Sequence, residues 1–126
     1  MNPVLPTLRE PGRAPVSPYA PIAREMDEVE RILADAVRND HPCVAEVVAH
    51  VSHYKGKRLR PALLLLTAKA CGRLTPMHPT LAAVIELIHT ATLVHDDVLD
   101  EATTRRHVAT ANARWGNHNS VLLGDY

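Results

Sequence analysis

The chain has 126 residues, 46% of them hydrophobic, so it is long enough for one domain; with one Trp, three Tyr and no Phe, its core must be aliphatic. Fourteen Lys and Arg balance fourteen Asp and Glu, so nothing global favours nucleic acid or an anionic membrane surface as a partner. Cys43 and Cys71 form no CxxC pair, which argues against a disulfide framework and a structural zinc site and fits a reducing cytoplasm.

Six of the ten prolines, Pro3, Pro6, Pro11, Pro15, Pro18 and Pro21, fall within residues 1–21, which predicts an extended, mobile arm with the domain starting after it. This segment has no apolar core of a signal peptide, and its prolines and Glu10 fit a mitochondrial presequence poorly, so no export signal is expected. Ile22, Met26, Val29, Ile32, Leu33, Ala36 and Val37 then recur at helical steps until Asn39-Asp40 and Pro42 interrupt them. A second helix is predicted from Pro42 to His53. Tyr54 to Pro61 reads as a basic loop whose proline suits the first turn of a helix over about Pro61 to Ala70, stopped by Cys71-Gly72. The longest apolar run, Ala62 to Ala68, is far short of the ~18 residues that span a bilayer, so no membrane span is expected.

Pro76 to Pro79 predicts a turn, and a long apolar helix follows from about Thr80 to Asp100. Glu101 to Val108 reads as a loop, Ala109 to Trp115 as a short helix, and Asn117 onward as the start of another, with no strand. The expected class is all-α. The sequence stops at Leu122-Leu123-Gly124-Asp125-Tyr126, in an apolar helix without a carboxyl-terminal cap, which suggests an incomplete chain or one completed by a partner.

Asp96-Asp97-Val98-Leu99-Asp100 sets three carboxylates at DDxxD spacing where the long helix ends. Asp96 and Asp100 lie one turn apart on one face, and Asp97 lies three residues before Asp100, so all three can approach one group of ions. Like charges at this spacing repel, and the carboxyl end of a helix opposes negative charge. Magnesium (Mg2+) would reverse both penalties, sharing carboxylate oxygens with substrate phosphates; the bland alternative is a solvated helix end. His95 reads as a packed or hydrogen-bonding residue rather than a ligand.

Lys55, Lys57, Arg58 and Arg60 lead into a helix amino terminus, which makes a phosphate site or, equally, an exposed basic loop. Thr103-Thr104-Arg105-Arg106-His107 follows the carboxylates. Its arginines either neutralise Asp100 and Glu101 or receive phosphate oxygens, and the two readings are compatible. His89, seven residues before Asp96, projects from the face of Asp96 and Asp100, as a site residue or a satisfied core histidine.

Gly56-Lys57-Arg58-Leu59-Arg60-Pro61, the segment from His89 to Asp100, Arg105-Arg106 and Gly124-Asp125-Tyr126 together closely resemble the trans-isoprenyl diphosphate synthases, or polyprenyl synthetases, in order and spacing. The resemblance covers about residues 22–126 and is strongest to the medium- and long-chain, octaprenyl-type enzymes. It implies the amino-terminal portion of the isoprenoid synthase helical bundle, with the carboxyl-terminal half absent, in a family that is usually homodimeric. The implied reaction joins isopentenyl diphosphate to an allylic diphosphate, with Mg2+ promoting loss of the allylic diphosphate.

By that resemblance Asp96 and Asp100 are magnesium ligands supported by Asp97, and Arg105 contacts the allylic diphosphate. Lys57, Arg60, His89 and Arg106 hold the isopentenyl diphosphate. Ala91, with Thr92 beside it, occupies the position where bulky residues block the growing prenyl chain, so small residues imply a medium- or long-chain product. His107 departs from the glycine common after the paired arginines. No second aspartate-rich motif is present, so the 126 residues alone are expected to be inactive.

Two other functions compete with the amino-terminal part of a synthase. The leading reading expects a homodimer or hetero-oligomer, and one competitor is a non-catalytic helical partner that binds and regulates a full-length synthase. The other is an HD-type metal phosphohydrolase, prompted by His89 and His95-Asp96; it is disfavoured because such sites draw ligands from separate helices.

Overall fold

The computed structural model describes residues 17–54 and 56–126. Residues 1–16, which hold most of the expected arm, and Lys55 of the basic loop lie outside the described residues. Among the described residues six α-helices and one minimal hairpin follow in order: α1 Ala23–Ala36, α2 Pro42–Ser52, α3 Leu59–Ala70, α4 Met77–Leu99, β1 Thr104–Arg105, β2 Val108–Ala109, α5 Ala111–Trp115 and α6 Asn117–Asp125. The chain is all-α in class, as its periodicity predicts.

The packed region begins a few residues before Ile22. Ala20–Ile22 form a 3-10 helix with Pro21 in its first turn, where a missing N–H costs nothing. Tyr19 packs on the core, and its hydroxyl donates to the Lys57 carbonyl at 2.6 Å. The carboxyl end of the expected arm is therefore folded, because Tyr19 and Ile22 give it apolar surface to bury.

Helix α4 is the spine. Its first half joins Ile22, Val29, Leu33, Ala62 and Leu65 through Ala82 and Ala83, a cluster that ties α1, α3 and α4 together. Its second half contributes Val94 to a smaller cluster with Val51, Tyr54 and Ala111, against which Trp115 and Leu123 pack. Fully burying an aliphatic side chain such as Val29 or Leu65 stabilises the fold by roughly 1.5–3 kcal/mol.

The turn expected over Pro76 to Pro79 is instead the helix start. Pro76 is the amino-terminal cap, and Pro79 falls in the first turn, where its lost N–H has no intrahelical partner to miss. Thr75 N–H and the His78 Nδ1, 2.9 Å apart, add a local closure. By length and composition alone α4, 23 residues of mean hydropathy 1.2, is long and apolar enough to cross a membrane, a test that soluble core helices also pass. It is a longer apolar element than Ala62 to Ala68. It also carries two buried carboxylates, Glu86 and Asp97, each paired with an arginine.

A left-handed residue ends α4. Glu101 has φ 52°, Glu101 N–H donates to Val98 O and Ala102 N–H donates to Asp97 O, the Schellman pattern that glycine usually completes. The expected loop after it contains a hairpin, with Thr104 opposite Ala109 and Arg105 opposite Val108. Ala109 thus belongs to a strand, and α5 starts two residues later, capped by Thr110.

Arg106 and His107 form the hairpin turn with φ 51° and 67°, positive at both centres as in type I′ turns. Left-handed backbone costs an L-residue roughly 1–2 kcal/mol, while glycine loses about 0.5–1 kcal/mol more chain entropy on folding. His107→Gly should therefore stabilise the protein by about 0.5 kcal/mol. A denaturant midpoint at or below that of the parent protein would contradict this.

Candidate functional site

The second half of α4 sorts its acids by direction. At 100° per residue, Asp100 lies about 40° and His89 about 20° from Asp96, so the three share one face, whereas Asp97 is turned about 100° away. Asp96 and Asp100 are exposed, and among the described residues neither carboxylate makes a hydrogen bond or ion pair. Asp97 is 1% exposed and accepts hydrogen bonds from Arg105, at 2.9 Å from Nε and 2.8 Å from Nη2. Three carboxylates sharing one ion, as the spacing alone allows, is therefore not the arrangement; two are free and one is buried.

The paired arginines diverge because one ends a strand and the other opens the turn. Arg105 reaches back to α4, where its bonds to Asp97 hold its proton more tightly than usual despite the opposing effect of burial. Arg106 turns the other way and lays its guanidinium on Gly56. A Cβ there would stand 2.8 Å from Arg106 Nη1, so the glycine permits the approach.

Arg106 thereby joins the basic loop. Lys57, Arg60, His89 and Arg106 all line one cleft of about 890 Å³, together with Gly56 and Ala91. Aliphatic side chains, including Leu33, Val37, Val51 and Leu93, line the rest of it together with Glu30, Glu86 and Asp125. Thr92 lies outside this lining; its hydroxyl donates to the His89 carbonyl at 2.7 Å. Asp96, Asp100 and Arg105 are also outside the lining, so the free acidic pair lies farther along α4 than His89, beyond the cleft.

Arg58 behaves unlike its neighbours. Its φ of 53° and ψ of 38° place it in the left-handed region at the amino-terminal cap of α3. The side chain runs inward, donating to Glu30 at 2.6 Å and to Glu86 at 3.0 Å. Burial works against its charge, but those hydrogen bonds and the field of the two carboxylates outweigh it, so its proton is held more tightly than usual. The basic run counts Arg58 among the cations of a phosphate site or an exposed loop, whereas its charge is committed to two carboxylates. Glu86, a lone acid inside an apolar run, was the available signal for a buried cation.

Two contacts brace the acidic end. Tyr54, buried in the second cluster, accepts a hydrogen bond from Ala111 N–H at 2.9 Å, and burial raises its phenol above the ordinary value. His95 Nε2 lies 3.1 Å from the Val121 carbonyl, and a Cβ on Gly124 would collide with its ring. Gly124 thus lets α6 close against α4 beside Asp96. His95 is a packing and hydrogen-bonding residue.

Among the described residues no three His, Cys, Asp or Glu side chains gather as a complete metal site. Two unpaired carboxylates one turn apart nonetheless fit a magnesium ion, which commonly takes one or two protein carboxylates and completes its shell with phosphate and water. The donor set suits a hard cation shared with a phosphorylated ligand. It would not suit zinc held by protein alone.

A family model described as polyprenyl synthetase matches residues 41–126. The all-trans-nonaprenyl-diphosphate synthase (geranyl-diphosphate specific) of Rhodobacter capsulatus is 44% identical over 108 residues, covering 85% of this chain and 33% of that protein. A crystal structure of a decaprenyl diphosphate synthase from the same organism superposes with a TM-score of 0.80 at 45% identity, covering 86% of this chain and 34% of the other. The polyprenyl synthase of Caulobacter crescentus CB15, crystallised with calcium and isoprenyl diphosphate, gives a TM-score of 0.79 at 36% identity over 86% of this chain and 33% of the other. The chain spans about a third of the length of the curated relatives it matches.

Proposed function

We propose, from the premise that this chain belongs to the polyprenyl synthetase family, that it supplies one side of a prenyltransferase site which condenses isopentenyl diphosphate with an allylic diphosphate. The observation that carries the reading is the convergence of Lys57, Arg60, His89 and Arg106, from three different segments, on one cleft walled by α4, the helix whose end presents free Asp96 and Asp100. Cations at such a cleft hold a diphosphate through charge-assisted hydrogen bonds, with arginine forks giving orientation.

Asp96 and Asp100 would hold Mg2+, which when bound neutralises negative charge on an allylic diphosphate and so makes it a better leaving group. Arg105 keeps Asp97 buried through Nε and Nη2, which leaves Nη1 for the same diphosphate. In the condensation the allylic C–O bond breaks with its electrons going to diphosphate. The double bond of isopentenyl diphosphate then forms the new C–C bond, and the resulting cation loses a proton to the released diphosphate. The residues of this chain orient the two diphosphates so that the carbons meet.

The 126 residues carry a single aspartate-rich run, and we propose that they are inactive alone and act only in an intact protein that completes the site, as part of a homodimer or hetero-oligomer. The same single run is what favours the second reading, a non-catalytic subunit of a full-length synthase. Exposed free cysteines, Cys43 and Cys71, accord with a cytoplasmic setting.

Ala91 lines the cleft two residues after His89, so its small side chain leaves room for a lengthening prenyl group. In the intact protein Ala91→Phe should shorten the main product, read by chromatography of the dephosphorylated prenols. A parent enzyme that already stops at farnesyl diphosphate would refute the medium- to long-chain assignment.

A further inference from the structure

The ion cluster around Arg58 takes no part in the proposed chemistry, yet it sits between two residues that do. Lys57 and Arg60 are exposed and flank it, while Arg58, which also lines the cleft, turns its guanidinium onto partly exposed Glu30 of α1 and buried Glu86 of α4. A left-handed residue at this point reverses the local chain direction between Lys57 and Leu59. Arginine has no intrinsic preference for that conformation, so something else must hold it there. The inward clasp provides the hold, and the Tyr19 hydroxyl steadies the preceding Lys57 carbonyl at 2.6 Å. Glu86 Oε2 is buried without a hydrogen-bond partner among the described residues, so the cluster is not a fully satisfied network built for stability alone.

We infer that Arg58 is a positioning residue: its clasp on Glu30 and Glu86 keeps the loop in the left-handed turn that presents Lys57 and Arg60 together to the cleft. This rests on the proposed diphosphate role of those two cations. Without the clasp, residue 58 relaxes to right-handed or extended backbone and the two side chains lose their common direction.

The test is calorimetric binding of isopentenyl diphosphate to the intact polypeptide for Arg58→Met, Arg58→Gly and Glu86→Gln, with Lys57→Ala and Arg60→Ala as controls. Both controls and Arg58→Met should weaken binding tenfold or more, and Glu86→Gln at least threefold, while affinity for an allylic diphosphate stays within twofold of the parent. Arg58→Lys should restore part of the loss. Arg58→Met is decisive because it removes the clasp while still disfavouring the left-handed turn, and Arg58→Gly, which accepts that turn, should lose no more than Arg58→Met; binding by Arg58→Met within twofold of the parent overturns the inference. If the Arg58 variants fail to fold, Glu86→Gln decides, since it keeps the shape of the site, and unchanged binding there overturns the inference as well. Controls that bind like the parent would sink the diphosphate reading itself, and the inference with it.

Discussion

Asp96→Asn or Asp100→Asn should lower turnover of the intact protein by roughly 10²–10³, the range seen when one preorganised charge-stabilising group is removed from an active site. Neither carboxylate makes a hydrogen bond or ion pair among the described residues, and Asp96 acts on Arg105 only through its field, so neither change removes a direct folding bond. Stability should stay within about 0.5 kcal/mol, or rise slightly, because each substitution relieves like-charge repulsion across one helical turn at the unfavourable end of the helix dipole. The combination separates function from structure. Steady-state rates measured beside denaturation midpoints check it, and a large stability loss without a rate loss would mean that the two acids serve the fold.

The opposite pattern is expected at the buried pair. Arg105→Leu leaves Asp97, 1% exposed, with its charge and no cation, and breaking a buried pair from one side costs about 3–5 kcal/mol. Asp97→Leu should cost less, about 1–3 kcal/mol, because the partly exposed Arg105 side chain can turn its guanidinium into water. Replacing both residues with leucine should recover much of the Arg105→Leu loss, since no uncompensated charge remains. Urea denaturation of the two single variants and the double variant gives the full cycle. Equal costs for the two single variants would show that the carboxylate is not as dependent on its partner as its burial demands.

These contrasting outcomes mark what a sequence can and cannot reveal about this site. The helix order was legible because apolar residues recur at helical steps in α1 and dominate α4, and because Gly72 and Asn39-Asp40 interrupt the pattern. The acidic run and the basic loop were legible from spacing. The separation of Asp96 from Asp97 was not, because adjacent helix positions diverge by about 100° and only packing decides which one faces inward. Arg105, which fixes that choice, reaches back only after the chain has reversed in the hairpin.

The hairpin was hidden for a related reason. Two-residue strands are too short to show alternation, and Arg106-His107 lacks the Asn-Gly chemistry that announces such a turn. The early start of α4 was masked by prolines that read as a turn but are harmless in the first helical turn. Arg58 was concealed within a cationic run whose members look alike in sequence. Its left-handed backbone and its two glutamate partners, both distant in the chain, distinguish it from Lys57 and Arg60.

The most direct test incubates the intact protein with isopentenyl diphosphate and an allylic diphosphate, with and without Mg2+, and chromatographs the dephosphorylated products. A polyprenyl product that forms only with the metal is the expected result. Metal-independent condensation, or no prenyl product from an intact protein that binds both diphosphates, would contradict the proposed role of Asp96 and Asp100.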